Sequence, residues 1–231
     1  MKYLRTIHKL LQKSNICKLR IFRFFDWHDG QIYFSGSLQS KSVFIKIDLI
    51  TECQNNEVVA NQILSPYLPN NLLKIYDYNL IKGASALIVE FVAGASSKVF
   101  HGNHALARAS EMIKILQIVN DAGIIHRDIR EDNFLIAEDG TLKLIDFTFC
   151  ADLGKSHNFI KPNAGPDFQA GIDRFLGGSE RAGNDYWNDF ASAYKIFEKN
   201  GIDADNIFKQ LGYNDLNRLM SKESNFSLLV D

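Results

Sequence analysis

The sequence predicts an α+β chain built as two lobes: a five-stranded antiparallel sheet with one inserted helix, then a shorter, mainly helical half. Three observations predict it. Residues 19–92 break into short runs rich in Ile, Phe, Val and Tyr, separated by turn residues. One stretch in that region, 55–64, abandons the strand pattern for a helical one. After Gly94 the apolar residues change to helical spacing.

Residues 1–18 read as a basic amphipathic helix. Lys2, Arg5, Lys9, Lys13, Lys18, Arg20 and Arg23 all precede the first acid, Asp26, and Leu4, Ile7, Leu10 and Leu11 fall at helical spacing among them. Such a helix lies on an anionic membrane, binds an acidic partner, or packs on its own domain with its charges in water. The last reading is favoured. Strands are then expected over 19–27, 31–37 and 42–49, across turns at 28–30 and 39–41. The helix over 55–64 ends at Ser65-Pro66, and strands over 72–80 and 85–92 flank Lys82-Gly83. This places the first lobe at 19–92 and the second at 93–231. In the second, 105–121 carries Leu106, Ala109, Met112, Ile113, Leu116 and Val119 in helical register and stops at Gly123. A small hairpin spans 134–136 and 142–145, and helices are expected over 186–199, 204–211 and 216–222.

The bulk properties exclude several classes. A chain of 231 residues suits one domain or two lobes around a cleft, and 46% hydrophobic residues supply a core. A net charge of −1 gives no global attraction for nucleic acid. Cys17, Cys53 and Cys150 form no CxxC pair and are read as thiols of a reducing compartment. No apolar run reaches the roughly 18 residues of a membrane span, and the N-terminus lacks the apolar stretch of a secretory signal. The expected location is cytoplasmic, with peripheral contact at the inner face of the membrane through 1–18 as the second possibility.

Residues 126–133 read HRDIREDN, and 144–147 read LIDF. His126, Arg127, Asp128, Arg130 and Asn133 fit H-R-D-x-[K/R]-x-x-N, and Asp146 begins D-F-T thirteen residues after Asn133. These segments resemble the catalytic loop and metal-binding D-F-G of the protein kinase family. The element order resembles that family too, over about residues 19–200, and implies a two-lobed protein-kinase-like fold.

The resemblance implies transfer of the γ-phosphate of ATP, with Mg²⁺, to a hydroxyl. Asp128 would receive or orient the acceptor hydroxyl, and Arg130 would sit beside the transferred phosphate. Asn133 and Asp146 would hold Mg²⁺ through hard oxygen ligands. Lys46, in VFIKI, is similar to the lysine of V-A-I-K and would hold the α- and β-phosphates. A lysine on the inward face of an apolar strand needs a partner. Glu57 is the natural one, with Glu52 the fallback because Asn61 stands where an apolar residue is usual. ALIVEFVAG (86–94) is similar to the hinge, where the backbone at Glu90 and Val92 would meet adenine and Val89 would guard the inner pocket. His126 would be structural beneath Phe147 and the metal-binding loop. Arg127 would meet a phosphate on the activation segment, with Thr148, Ser156 and Ser179 as candidates. Asp189 would anchor the catalytic loop, with Asp185 as the alternative.

Departures matter as well. No G-x-G-x-x-G precedes Lys46, and the corresponding turn, 27–31, has one glycine beside Asp29. Thr148 replaces the glycine of D-F-G, no A-P-E is visible, and the helical lobe is short. His101 and His104 lack a clear third ligand and are read as a loop. The first reading of function is a Ser/Thr-type protein kinase. The second is a sugar or glycolipid kinase at a membrane surface, similar to bacterial lipopolysaccharide-core kinases. The third is a kinase-like binding module without activity.

Overall fold

The structure is a computed structural model that describes residues 2–12, 14–24, 31–49, 54–81, 83–93, 99–152 and 188–216. It opens with α1 (Lys2–Leu11), β1 (Cys17–Phe24), β2 (Gln31–Leu38) and β3 (Lys41–Asp48). Then come α2 (Gln54–Leu64), β4 (Ile75–Ile81) and β5 (Ala84–Glu90). The helical lobe contains α3 (Ala105–Asp121), β6 (Ile124–Ile125), β7 (Phe134–Ile136), β8 (Leu142–Leu144), β9 (Ala151–Asp152), α4 (Asp189–Lys199) and α5 (Ala204–Gln210). None of the described helices is long and apolar enough to cross a membrane.

The five strands of the first lobe form one sheet in the order β1-β2-β3-β5-β4, every pairing antiparallel. Leu38 pairs with Lys41 across Gln39 and Ser40, whose φ values are 47° and 69°. Positive φ at both central residues gives the turn whose twist suits a two-residue hairpin. Alternation along β3 then divides its side chains between two faces. Val43, Ile45 and Ile47 point to the outer face and join Leu10, Ile32, Phe34 and Ile88 in one apolar cluster. Phe44 and Lys46 point to the inner face, toward α2 and the second lobe.

The N-terminal helix differs from its expected span. It ends at Leu11, and β1 already begins at Cys17, inside the segment expected to be helical. Its apolar stripe is covered: Leu10 is 1% exposed, and Ile7 and Leu11 pack against the outer sheet face. Arg5 and Lys9 face solvent, as does Leu4. The connection after the helix is tied down by Ser14, which donates to Asp77 Oδ2 at 2.6 Å and accepts from Asn79 at 2.7 Å. Gly36 lets this connection cross the sheet closely, since a Cβ there would meet Ile16 Cγ2 at 2.8 Å. With α1 on one face and α2 on the other, β5 is buried continuously from Ala84 to Val89, which explains its unbroken apolar sequence.

The core of the second lobe is built on α3, whose Ala109, Met112, Ile113, Leu116 and Val119 are fully buried. Leu106, expected on the same stripe, is 60% exposed. Phe190, Phe197 and Phe208 of α4 and α5 pack there, and Phe100 sets its ring edge-on to both Phe134 and Phe197. The two lobes are stitched at residues 70–72. Asn71 donates to the Leu142 carbonyl at 2.8 Å, and Leu144 N–H donates to the Asn71 carbonyl at 2.8 Å. Lys143 donates to the carbonyls of Asn70 and Leu72 and pairs with Glu90 at 2.6 Å.

Candidate active site

Two short pairings frame the site. β6 pairs with β9, and β7 with β8, so residues 126–133 and 145–150 run side by side between them. The loop 126–133 hangs from Asp189 in the first turn of α4. Its carboxylate is 1% exposed and accepts from the amides of His126 at 2.7 Å and Arg127 at 3.0 Å. Arg127 has φ +70°, a conformation costly for a side-chain-bearing residue and held here by this clamp. Burial pushes the Asp189 carboxyl above its usual range, and the two amides and the Arg127 charge only partly offset it. Of the two aspartates expected to anchor the loop, Asp189 makes the contact; Asp185 lies outside the described residues.

His126 is fully buried and has both ring nitrogens engaged. Nε2 lies 3.0 Å from the Ile145 carbonyl, and Nδ1 lies 3.3 Å from the Asp128 amide. The assignment consistent with both is a neutral ring that donates from Nε2 and accepts at Nδ1. Phe147 packs edge-on to it at 4.6 Å and is itself buried. This histidine splints the two loops together and has no nitrogen left for proton transfer.

Asp128 and Asn133 form the centre of the loop. The Asn133 amide nitrogen donates to the Asp128 carbonyl at 2.7 Å and to Asp128 Oδ2 at 2.8 Å. Arg130 Nε lies 3.6 Å from the same Oδ2, so a cation stands beside the carboxylate. The Asn133 nitrogen is committed in this way, which leaves its side-chain oxygen as the atom it can offer to a cation.

The inner face of the sheet brings in the opposing charges. Lys46 Nζ donates to Glu57 Oε2 at 2.7 Å and to Asp146 Oδ1 at 3.3 Å. Glu57 is therefore the partner that the lysine meets on α2. Asn61, the reason for keeping Glu52 as the fallback, turns aside and donates to the Leu73 carbonyl at 2.8 Å. Burial alone would push the Lys46 ammonium down, but the Asp146 and Glu57 carboxylates outweigh it and hold it above its ordinary value. Burial raises Glu57 despite the opposing pull of Lys46. Burial acts upward on Asp146 too, yet Lys46 and the Thr148 hydroxyl bring that carboxyl down to about 2.

Thr148 is the residue whose role sequence reasoning missed. Its hydroxyl donates to Asp146 Oδ1 at 2.5 Å, and its carbonyl accepts from Asn56 of α2 at 3.1 Å. With the side chain 6% exposed, it is a brace for Asp146 and not an accessible phosphosite. Its departure from glycine was visible in the sequence; the reach of its hydroxyl two residues back was the overlooked signal. Asp146 itself sits at φ +67°.

The strand end at 89–92 is arranged more tightly than expected. Val89 is fully buried, and Val92 packs against the cluster it forms with Leu73 and Leu87. The Glu90 amide already donates to the Lys74 carbonyl at 2.9 Å, so only its carbonyl could serve a base. Its side chain is held by Lys143. Phe44, two residues before Lys46 on the same face, stacks on Tyr33 with centroids 5.7 Å apart and 15° between planes. The turn at 27–30, Glu52, Ser156 and Ser179 lie outside the described residues.

The arrangement supplies an ionised carboxylate and an amide oxygen suited to a hard divalent cation, a buried ammonium beside them, and a second carboxylate flanked by an arginine. The family model described as the protein kinase domain matches residues 40–171, more than half of the chain. The serine/threonine-protein kinase STE20 of Eremothecium gossypii is 32% identical over 124 residues, 50% of this chain and 13% of that protein. The serine/threonine-protein kinase SMU1 of Mycosarcoma maydis is 30% identical over 123 residues, 50% of this chain and 16% of that protein. The chain thus matches well under a fifth of the length of these relatives. Among solved structures, the Cydia pomonella granulovirus kinase PK-1 superposes with a TM-score of 0.49 and 17% identity, covering 68% of this chain and 62% of that one.

Proposed function

The chain belongs to the protein kinase family, and from that premise we propose that it transfers the γ-phosphate of ATP to a serine or threonine hydroxyl of a protein. The observation that carries the reading is Lys46, bonded at once to Glu57 of α2 and to Asp146 of the second lobe. A lysine serving stability alone needs one counter-ion. A lysine that bridges two lobes beneath a cleft holds an ammonium where nucleotide phosphates would lie.

Phosphoryl transfer asks the protein for positioning and charge stabilisation more than for covalent chemistry. Lys46, kept in place by Glu57, would hold the α- and β-phosphates. Asp146, braced by Thr148, and the side-chain oxygen of Asn133 would hold Mg²⁺. That ion, when bound, supplies Lewis-acid neutralisation of the phosphate charge. Asp128 would orient the acceptor hydroxyl and take its proton, while Arg130 would stabilise charge on the transferred group. The hinge would receive adenine through the Glu90 carbonyl and the Val92 backbone, with Val89 closing the inner side. Arg127 would meet an activation-segment phosphate, for which Ser156 and Ser179 are the candidates.

A protein acceptor is supported by the serine/threonine-protein kinases that the chain resembles. The glycolipid alternative draws on the short helical lobe, the missing glycine-rich turn and the basic N-terminal helix, and the last of these is weakened because Ile7, Leu10 and Leu11 of that helix pack on the sheet. Lys46, Asp128, Asn133 and Asp146 are all present, which argues against an inert binding module. Dependence on ATP accords with a cytoplasmic location. The test is labelled-ATP transfer into a lysate separated into protein, glycan and lipid fractions, followed by phosphoamino-acid analysis. Label on serine or threonine supports the proposal; label confined to the glycan or lipid fraction moves the acceptor.

A further inference from the structure

The inner face of the sheet carries an aromatic shelf that the reaction so far does not use. Phe44 stands one pleat from Lys46 on β3, so the two side chains share a face about 7 Å apart along the strand. Tyr33, cross-strand neighbour of Lys46, stacks nearly parallel on Phe44. Phe22 of β1 meets Phe44 edge-on with centroids 5.3 Å apart, and meets Phe91 at 6.1 Å. Phe44 pairs across the sheet with Val89, and Phe44 and Val92 both pack against the cluster of Leu73, Leu87 and Val89, so the shelf abuts the hinge. It is not sealed into a core: Phe44 and Tyr33 are half-buried, and Phe22 is 58% exposed.

We propose that Phe44, backed by Tyr33 and flanked by Phe22, is the base-binding and nucleotide-selectivity residue of this cleft, receiving a purine by ring stacking. The inference rests on the proposed use of a nucleotide triphosphate whose phosphates meet Lys46. A nucleotide so held must carry its base past the neighbouring position on that face, and Phe44 occupies that position. An alanine there, as in V-A-I-K, would present no ring to a base. Stacking is tolerant of base identity because every base has a π-face. The cleft should therefore discriminate weakly between adenine and guanine.

The test is calorimetric titration of the full chain with ATP, GTP and inorganic tripolyphosphate, each with Mg²⁺, on wild type, Phe44→Ala, Phe44→Leu and Phe44→Trp. In wild type, the ATP and GTP affinities should agree within about tenfold. Phe44→Leu, which keeps bulk but loses the ring, and Phe44→Ala should weaken both nucleotides roughly five- to a hundredfold. Tripolyphosphate should bind unchanged, and Phe44→Trp should bind nucleotide as wild type does. If Phe44→Ala loses tripolyphosphate as well, the comparison of Phe44→Leu with Phe44→Trp decides. Nucleotide binding as tight or tighter in Phe44→Leu, or wild-type binding of tripolyphosphate alone, overturns this inference and leaves the kinase reading standing. Wild-type binding of none of the three ligands overturns both.

Discussion

Neutralising Glu57 and Lys46 separately and together gives the sharpest stability prediction. Their charged atoms are 2.7 Å apart with side chains 6% and 10% exposed, so water screens the pair poorly. At an effective dielectric of about 20, that separation corresponds to roughly 6 kcal/mol of attraction, and the 3.3 Å contact of Lys46 with Asp146 to roughly 5 kcal/mol. Most of this is offset by desolvation, and orphaning one member of a buried pair costs about 3–5 kcal/mol net. Glu57→Gln leaves Lys46 with Asp146, so its cost should fall toward about 2–3 kcal/mol. Lys46→Met leaves Glu57 buried without a cation, but that carboxyl, already raised by burial, can take up a proton and limit the loss. The double variant removes both buried charges and should lie close to wild type. Urea unfolding followed by circular dichroism should therefore show a coupling of about 2–4 kcal/mol between the two substitutions. Additive losses, with coupling below about 0.5 kcal/mol, would refute the coupling deduced from this geometry.

Asp189→Ala strips the acceptor from the buried His126 amide, at a cost of about 1–3 kcal/mol, and from the part-buried Arg127 amide; a thermal melt unchanged from wild type would contradict the clamp. Thr148→Val deletes the hydroxyl on Asp146 at nearly constant volume and should weaken metal-dependent nucleotide binding roughly 10- to 100-fold, which a Mg²⁺ titration of nucleotide affinity would detect or exclude. Acid should expose the Asp146 interaction. Its carboxyl is depressed in the fold to about 2, so the stabilisation is complete above its unfolded value near pH 4 and disappears as pH falls to about 2. With that side chain 30% exposed, the loss should be about 1–2 kcal/mol, and Asp146→Asn should lack this part of the slope in denaturant titrations between pH 5 and 2.

The sheet was legible because strand ends coincide with turn chemistry. β2, β3 and β5 fall within two residues of the spans read from alternation, and α3 over 105–121 coincides with its spacing. Periodicity identified the stripe on α3 but not its width, so Leu106 was placed inside when it lies at the stripe's exposed edge. The pairing of β6 with β9 was not legible, since two-residue strands have no period to read. At the site, motif spacing brought forward Asp128, Asn133, Lys46 and Asp146. It put Glu57 ahead of Glu52 but could not see the rotation of α2 against β3 that brings Glu57 to Lys46. The Asn56–Thr148 link depends on how α2 meets the turn after β8, a tertiary fact without a local signal. The face shared by Phe44 and Lys46, by contrast, follows from alternation alone.

Single-turnover transfer from Mg·ATP to a protein acceptor reads the role of Asp128. Asp128→Asn preserves the shape of the loop while removing the proton-accepting carboxylate, which Asn133 and Arg130 now flank. Transfer should fall by about 10²- to 10⁴-fold while Mg·ATP affinity stays within about threefold. Transfer by Asp128→Asn within tenfold of wild type would contradict the assignment of this loop.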